Sequence, residues 1–155
     1  MHPDGQSIAV PEPIRTVSTL VDPGYAATFD VRTTPDDLRS AEQWARATFE
    51  GAARPIRGFL LIGWRGVLWL RLHPRRSPDY VLGWKIVGRG ADWILLEVRS
   101  ALMTAQQVFW VDEARVVQCT FVRYDRAVAA VVWPPVSLIH RRMVPYLLRR
   151  AKSHQ

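Results

Sequence analysis

The chain has 155 residues, enough for one domain with a substantial core, and 48% of them are hydrophobic, which excludes general disorder. The formal net charge of +7 is carried almost wholly by arginine, with Lys85 and Lys152 the only lysines. A basic surface permits weak attraction to nucleic acid or anionic lipid but establishes neither, and the single Cys119 excludes an intramolecular disulfide or an all-cysteine metal site.

Residues 1–23 carry Pro3, Pro11, Pro13 and Pro23 and little periodicity. They read as an extended or disordered arm, ordered only if it lies across a single domain spanning 24–152. Nothing at the N-terminus combines a basic region with an apolar run. The most apolar window, 56–72, is broken by Arg57, Arg65 and Arg71. A secretory leader and a spanning helix are therefore not expected, and a cytoplasmic location is.

Tyr25 to Arg32 is rich in strand formers and predicts a first strand. Thr34-Pro35-Asp36-Asp37 predicts a helix start, because threonine caps, proline fits the first turn and the acids complement the positive helix end. That helix runs to about Glu50 and stops at Gly51. A second helical segment, Ile56 to Leu70, has no polar face apart from its arginines. Gly58, Gly63 and Gly66 each weaken it by roughly 1 kcal/mol relative to alanine. It is either a mobile lid or a helix whose glycines permit close packing.

His73 to Asp79 is a loop. Strands follow at 80–87, 93–100, 104–111, 115–124 and 127–132, joined by turns at Gly88-Arg-Gly90 and Asp112-Glu-Ala, as in an antiparallel meander. Trp133 to Lys152 predicts a long helix with Pro134 and Pro135 in its first turn. Val136, Ile139, Met143 and Leu147 form its apolar stripe, flanked by Val144 and Tyr146. Arg141, Arg142 and Arg149 lie opposite, and His140 sits near the middle of the stripe.

Alternation sorts the strand residues into rows. Ile94, Leu96 and Val98 form one; Leu82, Trp84 and Ile86 another; Val117, Cys119 and Phe121 oppose Gln118, Thr120 and Tyr124. Gln106 shares a row with Val108 and Trp110, and Gln107 with Phe109 and Val111. Polar residues mixed with aromatics suit a hollow core with a mixed lining, and suit an outer face equally well.

No phosphate loop, dinucleotide fingerprint, zinc spacing or nucleophile elbow occurs, so neither cofactor nor metal is expected. His140 is the titratable group best placed to hydrogen-bond a ligand or to act as acid or base, against the plainer reading of a satisfied structural histidine. Tyr124, Glu97 and Arg99 are secondary candidates for polar cavity contacts. Basic residues without interleaved aromatics argue against specific nucleic-acid binding.

The order of strand, two helices, antiparallel strands and long C-terminal helix resembles the helix-grip fold of the START-like superfamily, which includes Bet v 1-like proteins and polyketide cyclases. Trp44-Ala-Arg-Ala-Thr-Phe-Glu-Gly-Ala, Ser77-Pro-Asp-Tyr-Val-Leu-Gly-Trp, Thr120-Phe-Val-Arg-Tyr-Asp-Arg and the segment from His140 to Arg150 resemble an uncharacterised actinobacterial branch of it. The resemblance covers about residues 25 to 151. It implies an α+β domain in which a curved antiparallel sheet of about six or seven strands grips the last helix, with two shorter helices after the first strand and an apolar cavity inside.

The expected function is the binding of a hydrophobic small molecule, a lipid, polyketide or similar. Candidate cavity residues are His140, Trp84, Leu96, Val98, Trp110, Phe121, Ile139, Met143 and Trp64, with none assigned as catalytic. The alternatives are a cyclase- or hydratase-type enzyme using His140, and an interaction protein that pairs through the 56–72 surface or makes weak contact with an anionic membrane. Monomer and homodimer are both compatible with the pattern.

Overall fold

The computed structural model describes residues 7–72 and 76–153, so His73, Pro74 and Arg75 of the expected loop lie outside the described residues. The alternating segments pair into one antiparallel sheet. Its strands are β1 (Ser7–Ile8), β2 (Tyr25–Arg32), β3 (Arg76–Ser77), β4 (Tyr80–Val81), β5 (Trp84–Arg89), β6 (Trp93–Arg99), β7 (Met103–Val111) and β8 (Arg115–Tyr124). Their order is β1-β2-β8-β7-β6-β5-β4-β3, so every neighbour from β3 to β8 is also the next strand in sequence, and β2 closes on β8. The helices are α1 (Glu12–Val17), α2 (Ala41–Phe49), α3 (Arg54–Ile62), continued by a π-helical turn over Gly63–Val67, and α4 (Ala129–Ser153).

Two local preferences were overridden. The helix expected to start at Thr34 starts at Ala41, because Ser40 and Gln43 form a reciprocal capping box: Gln43 N–H donates to Ser40 Oγ at 3.1 Å and Ser40 N–H to Gln43 Oε1 at 2.7 Å. Thr34 to Asp37 is only a turn, with Asp37 held by Arg39 at 2.8 Å. The strand expected at 80–87 is split. Leu82 (φ 45°) and Gly83 (φ 90°) turn the chain between β4 and β5, and β5 runs on through Gly88 to Arg89.

The expected strand at 127–132 is corrected to a turn at Ala127 and Val128 followed by helix. Ala129, Trp133 and Ser137 are buried at helical spacing, so α4 begins at Ala129. A short apolar run of alanine and valine reads either way in isolation. Pro134 and Pro135 consequently lie inside α4, and so does Pro145.

From Ser7 onward the arm lies across the domain, the condition under which order was expected. β1 pairs with β2, and α1 lies on the sheet's outer face with Ile14 fully buried among Leu95, Val108, Val117, Cys119 and Phe121. Gln106, buried in that face, ties the arm down. Its Oε1 accepts from Ser18 Oγ at 2.9 Å and from Thr19 N–H at 3.0 Å, and its Nε2 donates to Thr19 Oγ1 and to Glu97 Oε2 at 2.8 Å. The inner face carries the larger core, in which Phe29, Val31, Ile94, Leu96, Val98 and Phe109 meet Trp44 and Phe49 of α2 and Leu147 and Leu148 of α4. The sheet is therefore covered on both sides.

Candidate functional site

The inner core is not solid. Between β7, β8, α3 and α4 lies a cavity of about 250 Å³. The sheet contributes Trp84, Met103, Ala105, Gln107, Thr120 and Val122; α4 contributes Trp133, Val136, Ile139, His140, Met143, Val144 and Leu147. α3 and its π-helical turn contribute Phe59, Leu60, Ile62, Gly63 and Trp64, and Phe49 of α2 closes one end. No aspartate, glutamate, lysine or arginine belongs to the lining. Phe59 and Ile62 of α3 and Ile139 of α4 line the cavity and are also exposed, so the cavity opens between these two helices.

The polar part of the wall is a connected network. His140 Nδ1 lies 3.1 Å from the Tyr25 hydroxyl, and His140 Nε2 lies 3.1 Å from Thr120 Oγ1. Gln118 Nε2 donates to Thr120 Oγ1 at 2.8 Å and to Gln107 Oε1 at 2.9 Å. Because Gln118 supplies a proton to Thr120, the Thr120 hydroxyl proton is available to His140 Nε2. Arg141 likewise hydrogen-bonds Tyr25, so either hydroxyl can offer its proton to the ring and either neutral tautomer completes the network.

Burial, with the nearby Arg141 cation, lowers the His140 pKa to about 4, so the ring is neutral at pH 7. Burial raises the Tyr25 pKa against the opposing effect of Arg141, so the phenol keeps its proton. Tyr25, Trp133 and His140 also pack ring against ring, with centroids 5.1 Å apart for Tyr25–Trp133 and 5.7 Å for each ring with His140. Both nitrogens of His140 are engaged by protein groups.

Of the residues expected at a cavity, His140, Trp84, Trp64, Ile139 and Met143 line this one. Leu96 and Val98 are buried in the inner core away from the wall. Trp110 and Phe121 belong to the opposite face of the sheet, packed beneath the arm, and are corrected accordingly. Glu97 and Arg99 pair with each other at 2.9 Å, and neither they nor Tyr124 reach the cavity.

Tyr25, Thr120, Gln107, Gln118 and Trp133 were not among the expected residues. Thr120 and Gln118 were visible as the polar row opposite Phe121, and only the identity of the covered row was missing. Tyr25 and His140 stand 115 positions apart in the chain and carry no joint signal.

The expectation that glycines let α3 pack closely is corrected too. A side chain added at Gly58, Gly63 or Gly66 would meet nothing within 4 Å, and no residue of α3 is buried. The glycines lower helix stability without serving contact, in the segment that forms one lip of the opening. Among the described residues no group of three histidine, cysteine or acidic side chains is placed to hold a metal ion, and no helix is long and apolar enough to cross a membrane. No family model, curated protein or solved structure matches this chain.

Proposed function

We propose that this protein binds a small, uncharged and largely apolar molecule in a helix-grip arrangement, with α3 acting as the lid. The observation that carries the reading is the cavity of about 250 Å³, apolar except for one hydrogen-bonding side at Gln107, Thr120 and His140. The order of elements and the sequential antiparallel sheet beneath a 25-residue C-terminal helix support the helix-grip description.

Size and charge narrow the ligand. An apolar cavity of about 150 Å³ accepts benzene, and drug-sized pockets begin at about 300 Å³. The ligand thus has one or two rings or an equivalent short chain, with any longer tail leaving through the mouth. A ligand hydroxyl or carbonyl finds its hydrogen-bond partner on the Gln107–Thr120 side. A carboxylate would lose its hydration beside a neutral histidine with no cation in the wall.

Trp64, Trp84 and Trp133 line the cavity and report occupancy by fluorescence. At pH 7, 1-naphthol is expected to quench this emission saturably, and 1-naphthoate to bind at least about tenfold more weakly. Ala105 stands on the wall, and Ala105→Leu is expected to abolish naphthol binding while the protein stays folded. Undiminished binding to Ala105→Leu, or equal affinity for naphthoate, would overturn the assignment. Native mass spectrometry of the freshly purified protein gives an independent check for a retained neutral ligand.

A further inference from the structure

We infer that the rim of the cavity is a docking surface for an anionic lipid bilayer. Phe59, Ile62 and Ile139 are 48%, 72% and 49% exposed at the opening. From Ile139 the outward stripe of α4 extends to Val131, Leu138 and Tyr146, all exposed. Trp69 stands 62% exposed between the lining residues Leu68 and Leu70, its backbone in the left-handed region at φ 54°. That conformation is disfavoured for a bulky residue, so the surrounding chain holds Trp69 in it. Apolar side chains grouped on one surface in this way mark an interaction site.

The chain segments that bear the patch carry charge of one sign. No aspartate or glutamate occurs from Gly51 to Pro78, or from Arg126 to the C-terminal end of the sequence. Arg54, Arg65, Arg71 and Arg142 are exposed and, among the described residues, in no ion pair. The carboxylates pair elsewhere, Glu42 and Glu50 with Arg46 on α2 and Asp125 with Arg123.

Cations interspersed with tryptophan, isoleucine and leucine match the boundary between anionic headgroups and acyl chains. A second copy of the chain fits worse, because two-fold pairing sets the same arginines against one another with no carboxylate to answer them. Docking in this orientation lets an apolar ligand pass between bilayer and cavity without crossing water. The inference rests on the surface and holds whatever the cavity contains.

Vesicle flotation of the ligand-free protein tests it. The protein is expected to float with vesicles of phosphatidylcholine and phosphatidylglycerol at low salt, more weakly at physiological salt, and not with phosphatidylcholine alone. Leu138→Ser and Trp69→Ser, both outside the cavity lining, are each expected to weaken the partition about tenfold, the scale of one lost apolar side chain. Circular dichroism and the melting temperature are expected to stay unchanged, which separates lost docking from lost folding. Absence of flotation at low salt, equal flotation with neutral vesicles, or wild-type partition by both variants overturns the proposal. So does a dimer in sedimentation velocity that Leu138→Ser dissolves, or binding to duplex DNA by a protein that ignores the vesicles.

Discussion

His140 is neutral because the fold leaves its charge no compensation: burial lowers its pKa to about 4 and the nearest cation, Arg141, acts in the same direction. The consequence for stability has a definite sign. The unfolded chain binds a proton near pH 6.5 and the folded protein only near pH 4, so this residue destabilises the fold progressively as pH falls across that window. At about 1.4 kcal/mol for each pH unit, the full loss is about 3 kcal/mol. His140→Gln keeps hydrogen-bonding groups and cannot titrate. Its melting temperature is expected to vary less between pH 6.5 and pH 4 than that of the wild type, in a thermal series across that range. Asp37, Glu42 and Asp125, whose pKa values are lowered from 3.8, 4.5 and 3.8, lose their contribution only as pH falls through and below those values, so the upper part of the window reports His140 alone among them.

At the scale of elements, α3 and the N-terminal arm behave oppositely. α3 holds its place with no fully buried residue, and nothing approaches Gly58 or Gly66. Alanine fits both positions and raises helix stability by roughly 1 kcal/mol at each. Gly58→Ala with Gly66→Ala is expected to raise the melting temperature and to slow both entry and release of naphthol in stopped-flow fluorescence. Unchanged rates would mean that α3 does not gate the opening.

The arm is instead anchored by the buried Ile14 and by Gln106, and it covers Cys119, whose thiol is pushed up to about 12 by burial. Ile14→Ala is expected to cost about 2 to 4 kcal/mol. It is also expected to speed Cys119 modification by a disulfide reagent at pH 8. If the arm opens separately from the domain, the labelling rate rises far more than the change in melting temperature requires.

At the scale of the molecule, one sheet supports two different layers: a sealed outer layer under the arm, and an inner layer left hollow. A hollow core forfeits packing, so filling it returns stability. Ala105→Leu is expected to gain up to about 1 kcal/mol, raising the melting temperature by about 2 to 4 °C in calorimetry, while removing the room for a ligand. None of the acids lies on α3, its π-helical turn or α4, and these helices flanking the mouth carry only basic charged residues. In the docking proposed above, that asymmetry turns the opening towards the anionic surface.

Local chemistry in the chain was enough to determine a first strand, two helices, an antiparallel meander and a long terminal helix, but not β1, α1, the break between β4 and β5, the start of α4 at Ala129, or the exposure of Ile139 and Tyr146 on it. Turn residues, strand alternation and helical spacing act within about ten residues. Those periods define two rows on each strand but not which row is covered, nor by what. Here both rows are covered, so Phe121 and Trp110 carried the same signal as Trp84 while belonging beneath the arm. Likewise the chain from Ala129 to Val132 is helix because Ala129 and Trp133 find an inner core to enter, a fact outside the segment itself. The pairing of Tyr25, Thr120 and His140, and the volume left empty beside them, were decided by tertiary structure alone. They depend on the distance at which the helices settle above the sheet, which is set by side chains contributed by every element at once.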